Sequence, residues 1–247
     1  MGMLDGRVAV ITGSGRGIGR AAALMMAREG AAVVISDLDE APARETVEEI
    51  TAAGGRAVSC VGDVTKPDFP EKLIGAALDS FGGLHIIVNN AGYTWDAMLH
   101  KMTDEQWHAM IDVHVTAPFR IVRAAAPYIR EAAKKEIAEG KRVMRKIVNV
   151  MSIAGTRGNT GQANYASAKA ALRGLTKTIA QEWGPLNVNC NAVAFGFITT
   201  RLTEEKEKGI KIFDDKIAVG IPKNMRDLML AFIPLRRPGT PEEAAAG

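Results

Sequence analysis

Tyr165 and Lys169 stand four residues apart in YASAK, a stretch with the pattern of a helix. Side chains at that spacing share one helix face, with Cβ atoms about 5–6 Å apart. A nearby ammonium favours the charged form of a phenol, whose ordinary pKa is about 10. Because a general acid or base works best with a pKa near the operating pH, we expect Lys169 to tune Tyr165 for proton transfer.

Ser152 is a third residue whose position favours catalysis. A Tyr-x-x-x-Lys pair alone is usually an ordinary contact on a helix surface, so it needs support from elsewhere in the chain. Ser152 ends KIVNVMS, an apolar run with the composition of a strand. Doubly wound sheets bind ligands outside the carboxyl ends of their strands, so we expect the Ser152 hydroxyl to hold a substrate carbonyl oxygen beside Tyr165.

A glycine-rich turn, TGSGRGIGR at residues 12–20, follows the first apolar run and opens a helical pattern. Gly13, Gly17 and Gly19 let the backbone turn tightly and approach a pyrophosphate without Cβ clashes. The free N–H groups and the positive end of the new helix then hold the anion. The turn therefore predicts a dinucleotide-binding site.

Asp37 bears on which dinucleotide binds. It ends the second apolar run, about 20 residues after the glycine turn, where a carboxylate accepts hydrogen bonds from the adenosine ribose. Its alternative role is a helix N-cap or a turn residue. A carboxylate there repels a 2′-phosphate and favours NAD, whereas the Arg16 guanidinium can pair with that phosphate and favours NADP. We give more weight to Asp37 and predict NAD, with NADP as the alternative.

These residues need a fold that brings them together, and the order of elements provides one. Short apolar runs alternate with helical patterns from the start of the chain, which predicts a parallel sheet between helices. Right-handed crossovers then give a doubly wound, Rossmann-type α/β sheet in a three-layer αβα sandwich. We expect residues 1–247 to form a single domain. The predicted strands are residues 7–12, 31–36, 57–62, 84–90, 146–152 and 187–194.

Two further segments have distinctive patterns. A long helix is predicted from about Thr103, where TDEQ forms a capping box, to about Arg130. The charge-dense residues 131–146 then predict a solvated extension of that helix and a loop, with docking of an acidic partner as the minor alternative. Residues 201–233 join a charged run to the apolar LMLAFI, which suggests a lid over the site.

Composition excludes several classes of protein. The 247 residues are 47% apolar and 24% charged, with a net charge of +3, so we expect neither nucleic-acid nor membrane binding. Cys60 and Cys190 lie in apolar runs without metal-ligand spacing, and we expect buried, reduced thiols and no metal site. The N-terminus lacks the pattern of a signal peptide. A cytoplasmic protein is the resulting expectation.

The sequence resembles the short-chain dehydrogenase/reductase family over nearly the whole chain. The resemblance rests on the combination and order of four motifs: TGSGRGIG, NNAG at residues 89–92, the MS that ends the fifth strand, and YASAK. That resemblance implies hydride transfer between a nicotinamide and a carbonyl or secondary alcohol. It also implies that Ser152, Tyr165 and Lys169 are catalytic and that Asp63 contacts adenine, although a turn residue is the alternative for Asp63. The implied cofactor-binding residues are Gly13, Arg16, Gly17, Ile18, Gly19, Asp37, Asp63, Val64, Asn90, Ala91, Gly92, Tyr165, Lys169, Gly196, Ile198 and Thr200.

The resemblance also bears on the substrate and the assembly. GNTGQANYASAKAAL and IPLRRPGTPEE are most similar to 3-oxoacyl-carrier-protein reductases and related acyl-CoA-level enzymes. It implies an acyl thioester on coenzyme A or acyl-carrier protein, and a homo-oligomer, either a dimer or a tetramer. Tyr93, Trp95, Met98 and Met102 are candidates for an apolar substrate mouth, with ordinary packing of the loop as an equal alternative.

The chain departs from the family pattern at His114, where an asparagine that completes a proton relay is usual. Pro118 lacks the N–H that would bond to the His114 carbonyl. We therefore expect that backbone oxygen to hold a water of the relay and His114 to be tolerated; a merely buried histidine is the alternative.

Two other departures leave rival functions open. Phe195 replaces a usual proline, and PEEAAAG ends before the last helix and strand that the resemblance leads us to expect. A missing final strand would leave an open sheet edge and weaken the usual tetramer contact. The alternatives to an NAD-dependent enzyme are an NADPH-preferring ketoreductase of the same fold and a nucleotide-binding regulator that has lost catalysis.

Overall fold

The computed structural model describes residues 2–213 and 216–247. Met1, Asp214 and Asp215 lie outside the described residues. The last two belong to the predicted lid, which is therefore described only in its remaining part.

Six strands form one parallel sheet, as predicted. They are β1 Val8–Thr12, β2 Ala32–Asp37, β3 Arg56–Val61, β4 Ile86–Asn89, β5 Arg145–Ser152 and β6 Val188–Phe195. Their order is β3-β2-β1-β4-β5-β6, and every neighbouring pair is parallel. From β1 the chain adds β2 and β3 on one side of the sheet, and then β4, β5 and β6 on the other side. This switch in strand order between β1 and β4 creates a crevice at the carboxyl ends of the strands. The predicted strand bounds differ from these by at most two residues.

Helices cover both faces of this sheet. They are α1 Gly17–Arg28, α2 Glu40–Ala52, α3 Phe69–Phe81, α4 Asp104–Ile111, α5 Ala117–Ala138, α6 Ala154–Arg157, α7 Ala163–Trp183, α8 Lys223–Phe232 and α9 Pro241–Ala245. One apolar core joins the sheet to α3, α5 and α7, and the other joins it to α1 and α2. β1 is buried along its whole length, because a parallel strand between two helix layers has no solvated face. The predicted three-layer sandwich is confirmed.

The predicted long helix is present but is not continuous. The capping box is formed, since the Thr103 hydroxyl accepts from the Gln106 N–H and the Gln106 side chain accepts from the Thr103 N–H. A π-helical turn at Asp112–Thr116 then separates α4 from α5. α5 continues past Arg130 to Ala138 and a loop follows, as the predicted extension of the long helix requires. The prediction that all of residues 131–146 are solvated is wrong at Arg145, which is buried at the start of β5 and paired with Glu136.

The remaining elements lie after β6. Two short antiparallel strands, β7 Lys211–Ile212 and β8 Ile217–Ala218, precede α8. The short helix α9 packs against α1 near the end of the chain. Among the described residues, no helix combines the length and the apolar character that crossing a bilayer requires.

Candidate active site

A cavity of about 930 Å³ opens at the carboxyl ends of the strands. The loops that follow the six strands of the parallel sheet all contribute to its walls, as expected at the point where the strand order switches. Of the residues predicted from the sequence, the following line it: Gly13, Arg16, Gly17, Ile18, Asp37, Asp63, Val64, Asn90, Ala91, Gly92, His114, Ser152, Tyr165, Lys169, Gly196, Ile198 and Thr200. The structure therefore brings these residues to one cavity.

Gly19 is the exception, since it is not among the residues that line the cavity. It is buried behind the glycine turn, where a Cβ would stand 2.2 Å from the Gly13 carbonyl oxygen. Its small size lets α1 pack closely on the turn. Gly13 and Gly17 have φ of +63° and +55°, a conformation that favours glycine. The turn thus leaves the start of α1 open to the cavity, which fits a cofactor pyrophosphate.

The charged groups at the end of β2 are paired in a way that the sequence does not reveal. The Asp37 carboxylate accepts from the Gly15 N–H over 2.9 Å, which ties it to the glycine turn. Arg16 is the N-cap residue of α1, and its Nη1 lies 2.6 Å from Asp39 Oδ2. Asp39 therefore holds the guanidinium that a 2′-phosphate would need, while Asp37 keeps lone pairs for ribose hydroxyls.

Asn90 and Asp63 stabilise the loops around the predicted adenine and nicotinamide positions. The Asn90 side-chain amide donates to the carbonyl oxygens of Thr12 and Gly13, over 2.9 and 3.0 Å. Asp63 accepts from the Thr65 N–H and hydroxyl, over 2.9 and 2.7 Å. Both side chains line the cavity, and both also make hydrogen bonds that shape its walls.

Ser152 and Tyr165 meet at the catalytic end. Ser152 is the last residue of β5, and its Oγ accepts from the Ala154 N–H over 3.1 Å. Tyr165 lies in the first turn of α7. Burial raises the pKa of the Tyr165 phenol, while a hydrogen bond with the Ser152 side chain lowers it by less. The two hydroxyl groups are thus placed to address one substrate oxygen.

Lys169 is buried one turn along the same helix. Its Nζ donates to the Val150 carbonyl oxygen over 2.6 Å and lies 5.7 Å from the centroid of the Tyr165 ring. Burial lowers the pKa of Lys169 to about 7. The predicted effect of Lys169, aided by the positive charge of a bound oxidised nicotinamide, is to lower the pKa of Tyr165. In the protein alone the pKa of Tyr165 is raised instead, because desolvation dominates for both groups.

His114 lies in the π turn with its ring against the catalytic tyrosine. Its Nε2 is 2.8 Å from the Tyr93 carbonyl oxygen, so the ring carries its proton there. The ring centroids of His114 and Tyr165 are 5.1 Å apart, at an angle of 84°. A Cβ on Gly92 would stand 2.1 Å from His114 Cε1. Gly92 therefore makes room for a histidine at this position.

The predicted substrate mouth is only partly correct. Tyr93 lines the cavity, but Trp95, Met98 and Met102 do not. Trp95 packs against the core, and Met98 and Met102 are in the loop that leads to α4. The predicted lid does form a wall of the cavity, through Ile212, Phe213, Ile221, Met225 and Met229 among others.

The polar residues of this cavity that sequence reasoning missed include Asp96, Gln162 and Arg201. The Gln162 side chain donates to both oxygens of Asp96, over 3.1 and 3.0 Å, which links the loop after β4 to the start of α7. Arg201 follows β6 and faces the charged groups near β2. The only signals in the sequence were positions close to NNAG, YASAK and the predicted contact Thr200.

Comparison with known proteins finds relatives along most of the chain. The sequence model of short chain dehydrogenases matches residues 7–211. A 3-oxoacyl-[acyl-carrier-protein] reductase FabG from Thermotoga maritima is 36% identical and aligns over 98% of this chain and 88% of its own length. The hydroxyacyl-CoA dehydrogenase ChsB1 of Mycobacterium tuberculosis is 45% identical over 77% of this chain and 61% of its own length.

A solved structure supports the same relationship. A short chain dehydrogenase from Mycobacterium avium is 42% identical and superimposes with a TM-score of 0.74, covering 79% of this chain and 69% of that one. The segment matched by the family contains the glycine turn, Ser152, Tyr165 and Lys169. The chain therefore belongs to the short-chain dehydrogenase family, and it is an oxidoreductase that uses a nicotinamide cofactor.

Proposed function

We propose that the protein reduces 3-oxoacyl thioesters, or oxidises the corresponding hydroxyacyl thioesters, with NAD as the preferred cofactor. The observation that carries the proposal is the meeting of Ser152, Tyr165 and Lys169 in the cavity that also contains Asp37 and the open start of α1. The relatives named for 3-oxoacyl-carrier-protein and hydroxyacyl-CoA substrates support the thioester class.

The chain's own groups can manage the proton of this reaction. A bound nicotinamide supplies or accepts the hydride. Tyr165 would donate a proton to the carbonyl oxygen, and Ser152 would hold that oxygen by a hydrogen bond. Lys169, with its pKa of about 7, can release and regain a proton at neutral pH and so return one towards Tyr165. The His114 ring packs edge-to-face against Tyr165, and the backbone carbonyl oxygen of His114 would hold a water of the proton relay.

The preference for NAD rests on the charges near β2. Asp37 lines the cavity where the adenosine ribose would lie, and a 2′-phosphate there would meet its negative charge. Arg16 is engaged by Asp39. Pairing Arg16 with a 2′-phosphate would therefore require that salt bridge to break, which favours the cofactor without this phosphate.

The substrate would lie against the cavity wall that the segment after β6 forms. Phe213, Ile221, Met225 and Met229 give that wall an apolar character suited to an acyl chain. Met side chains are flexible and accept apolar chains of different shapes.

The test is turnover of acetoacetyl-CoA and of the N-acetylcysteamine thioester of acetoacetate, each with NADH and with NADPH. We expect reduction of both thioesters, with kcat/KM at least about tenfold higher for NADH, which corresponds to about 1.4 kcal/mol. Turnover with NADPH that equals or exceeds turnover with NADH would contradict the cofactor preference. Reduction of simple ketones without any reduction of the thioesters would contradict the substrate class.

We also infer a homo-oligomer in a reducing cytoplasm. Trp107, Phe119 and Tyr128 are large apolar side chains that α4 and α5 leave exposed, and a second copy can cover such residues. Cys60 and Cys190 are both free and buried, which is compatible with a reducing compartment.

A further inference from the structure

Arg201 lies on the wall of the cavity that faces the glycine turn. It begins a short 3-10 turn, Arg201–Thr203, just after the cavity-lining Thr200. A Cβ on Gly17 would stand 3.5 Å from the Thr200 methyl carbon. This turn therefore lies against the first residue of α1, at the place where backbone N–H groups point towards a cofactor phosphate.

The charges around Arg201 leave its guanidinium without a partner in the protein. Asp39 binds Arg16, and Asp37 accepts from the Gly15 N–H. Within residues 2–213 and 216–247, the Arg201 side chain makes no hydrogen bond or ion pair at normal distances. Partial burial, and to a lesser degree the charge of Arg16, lower the pKa of Arg201, while the nearby carboxylates of Asp39 and Asp37 raise it by less. Because Asp39 is bound to Arg16 and Asp37 accepts from the Gly15 N–H, the Arg201 guanidinium keeps its N–H donors for an anion in the cavity.

The turn that carries Arg201 is held rigidly from behind. The Thr203 hydroxyl donates to the Ile198 carbonyl oxygen over 2.6 Å, and the Thr200 N–H donates to the Thr203 hydroxyl over 2.9 Å. Arg226, from α8, donates to the Thr203 carbonyl oxygen. Its guanidinium also lies 5.3 Å from the centroid of the Phe197 ring. Arg201 is therefore presented to the cavity by a fixed backbone, which reduces the entropy lost when it binds an anion.

We propose that Arg201 binds a phosphate group of the dinucleotide, from the wall opposite the start of α1. A guanidinium offers paired N–H donors that match phosphate oxygens. The phosphate can belong to the pyrophosphate or to a 2′-phosphate, and the pyrophosphate is favoured because Thr200 contacts the first residue of α1. The inference needs only the nicotinamide cofactor of the family and is independent of the thioester substrate.

The experiment measures cofactor affinity in Arg201→Ala, Arg201→Lys and a matched control, Lys208→Ala. Lys208 is an exposed lysine of the same segment that pairs with Glu204 and does not line the cavity. NADH and NADPH binding are followed by their fluorescence, and adenosine, ADP and 2′-AMP are titrated as competitors at low and high salt. Circular dichroism and melting temperature check that each variant is folded.

We expect Arg201→Ala to weaken NADH and ADP binding about tenfold at low salt, the effect of losing one charge-assisted hydrogen bond. Adenosine affinity should not change, Arg201→Lys should recover part of the loss, and Lys208→Ala should resemble the wild type. A loss seen with NADPH and 2′-AMP but not with ADP would assign Arg201 to a 2′-phosphate and overturn the pyrophosphate assignment. Unchanged affinity for every phosphate ligand, or an equal loss for adenosine, would overturn the proposal as a whole.

Discussion

At the scale of single residues, burial determines how the catalytic groups behave. Tyr165 and Lys169 lie in the same cavity, yet the pKa of Tyr165 is raised and the pKa of Lys169 is lowered. Both shifts favour the neutral form of the side chain. The sequence gives their spacing, which predicts a shared helix face, but it does not give the surrounding density of apolar atoms. Spacing alone therefore overestimated the effect of one charge on the other.

The lowered pKa of Lys169 predicts how the free energy of unfolding depends on pH. The folded protein binds this proton with a pKa of about 7 instead of the ordinary lysine pKa of 10.5. The unfolded chain therefore binds more protons between these values, and the free energy of unfolding rises with pH across that window, by at most about 1.4 kcal/mol per pH unit. The contribution is present above the unfolded pKa and is lost as pH falls towards the folded pKa.

Urea unfolding at pH 7 and pH 9 measures this effect in the wild type and in Lys169→Met. We expect the wild type to gain stability relative to Lys169→Met as pH rises. Lys177→Met, which changes an exposed lysine of the same helix, is the matched control and should follow the wild type. Equal pH dependence in the wild type and in Lys169→Met would contradict the assignment.

His114 and Pro118 allow a test of the relay predicted from the sequence. The π turn at Asp112–Thr116 ends just before Pro118, in agreement with a disturbed hydrogen-bond ladder at this point. We expect Pro118→Ala to lower kcat, by on the order of a hundredfold or less, since a backbone N–H at position 118 can compete for the His114 carbonyl oxygen. Steady-state turnover as a function of pH is the measurement, and His114→Asn should change it little. A manyfold gain in His114→Asn together with no effect of Pro118→Ala would show that the side chain matters and the backbone does not.

At the scale of elements, hydrogen bonds connect the start of α7 to the loop after β4. Gln162 donates to Asp96, and the Ala97 N–H donates to the Gly161 carbonyl oxygen over 2.9 Å. Asn164 donates to the Trp95 carbonyl oxygen over 3.0 Å. These bonds fix the first turn of α7, and with it Tyr165, relative to the loop after β4.

The packing of α1 on the glycine turn gives a second stability prediction. Gly19→Ala would place a Cβ 2.2 Å from the Gly13 carbonyl oxygen, and we expect a loss of about 1–3 kcal/mol in the free energy of unfolding. Gly174→Ala is the control, because a Cβ there meets nothing within 4 Å and alanine is the better helix former by about 1 kcal/mol. Denaturant unfolding of both variants checks this, and equal stabilities would argue against close packing at Gly19.

At the scale of the whole molecule, the order of elements was the most predictable property. Apolar runs such as VAVIT and AVVISD are typical of buried parallel strands, and their alternation with helices indicated the sheet and the end at which ligands bind. The glycine turn and YASAK then located most of the residues around the cavity. These features are local in sequence, which is why sequence reasoning reached them.

Contacts between segments that are distant in the sequence could not be predicted from local patterns. The pairing of Arg16 with Asp39, the bonds between Asp96 and Gln162, and the position of Arg201 depend on how loops approach each other. The π turn was also missed, because the capping box and Pro118 suggested one continuous helix with a free carbonyl. The packing of Trp95 against the core similarly depends on the whole fold, because an apolar residue after NNAG can face either the cavity or the core.

The central claim is that Tyr165 donates the proton in a cavity that binds a nicotinamide cofactor. The most direct test is turnover of an acetoacetyl thioester with NADH by Tyr165→Phe, alongside NADH affinity measured by fluorescence. We predict a loss of about 10²–10⁴-fold in kcat, the usual contribution of a general acid, with NADH affinity and fold retained. A Tyr165→Phe variant that binds NADH and turns over at the wild-type rate would contradict the account.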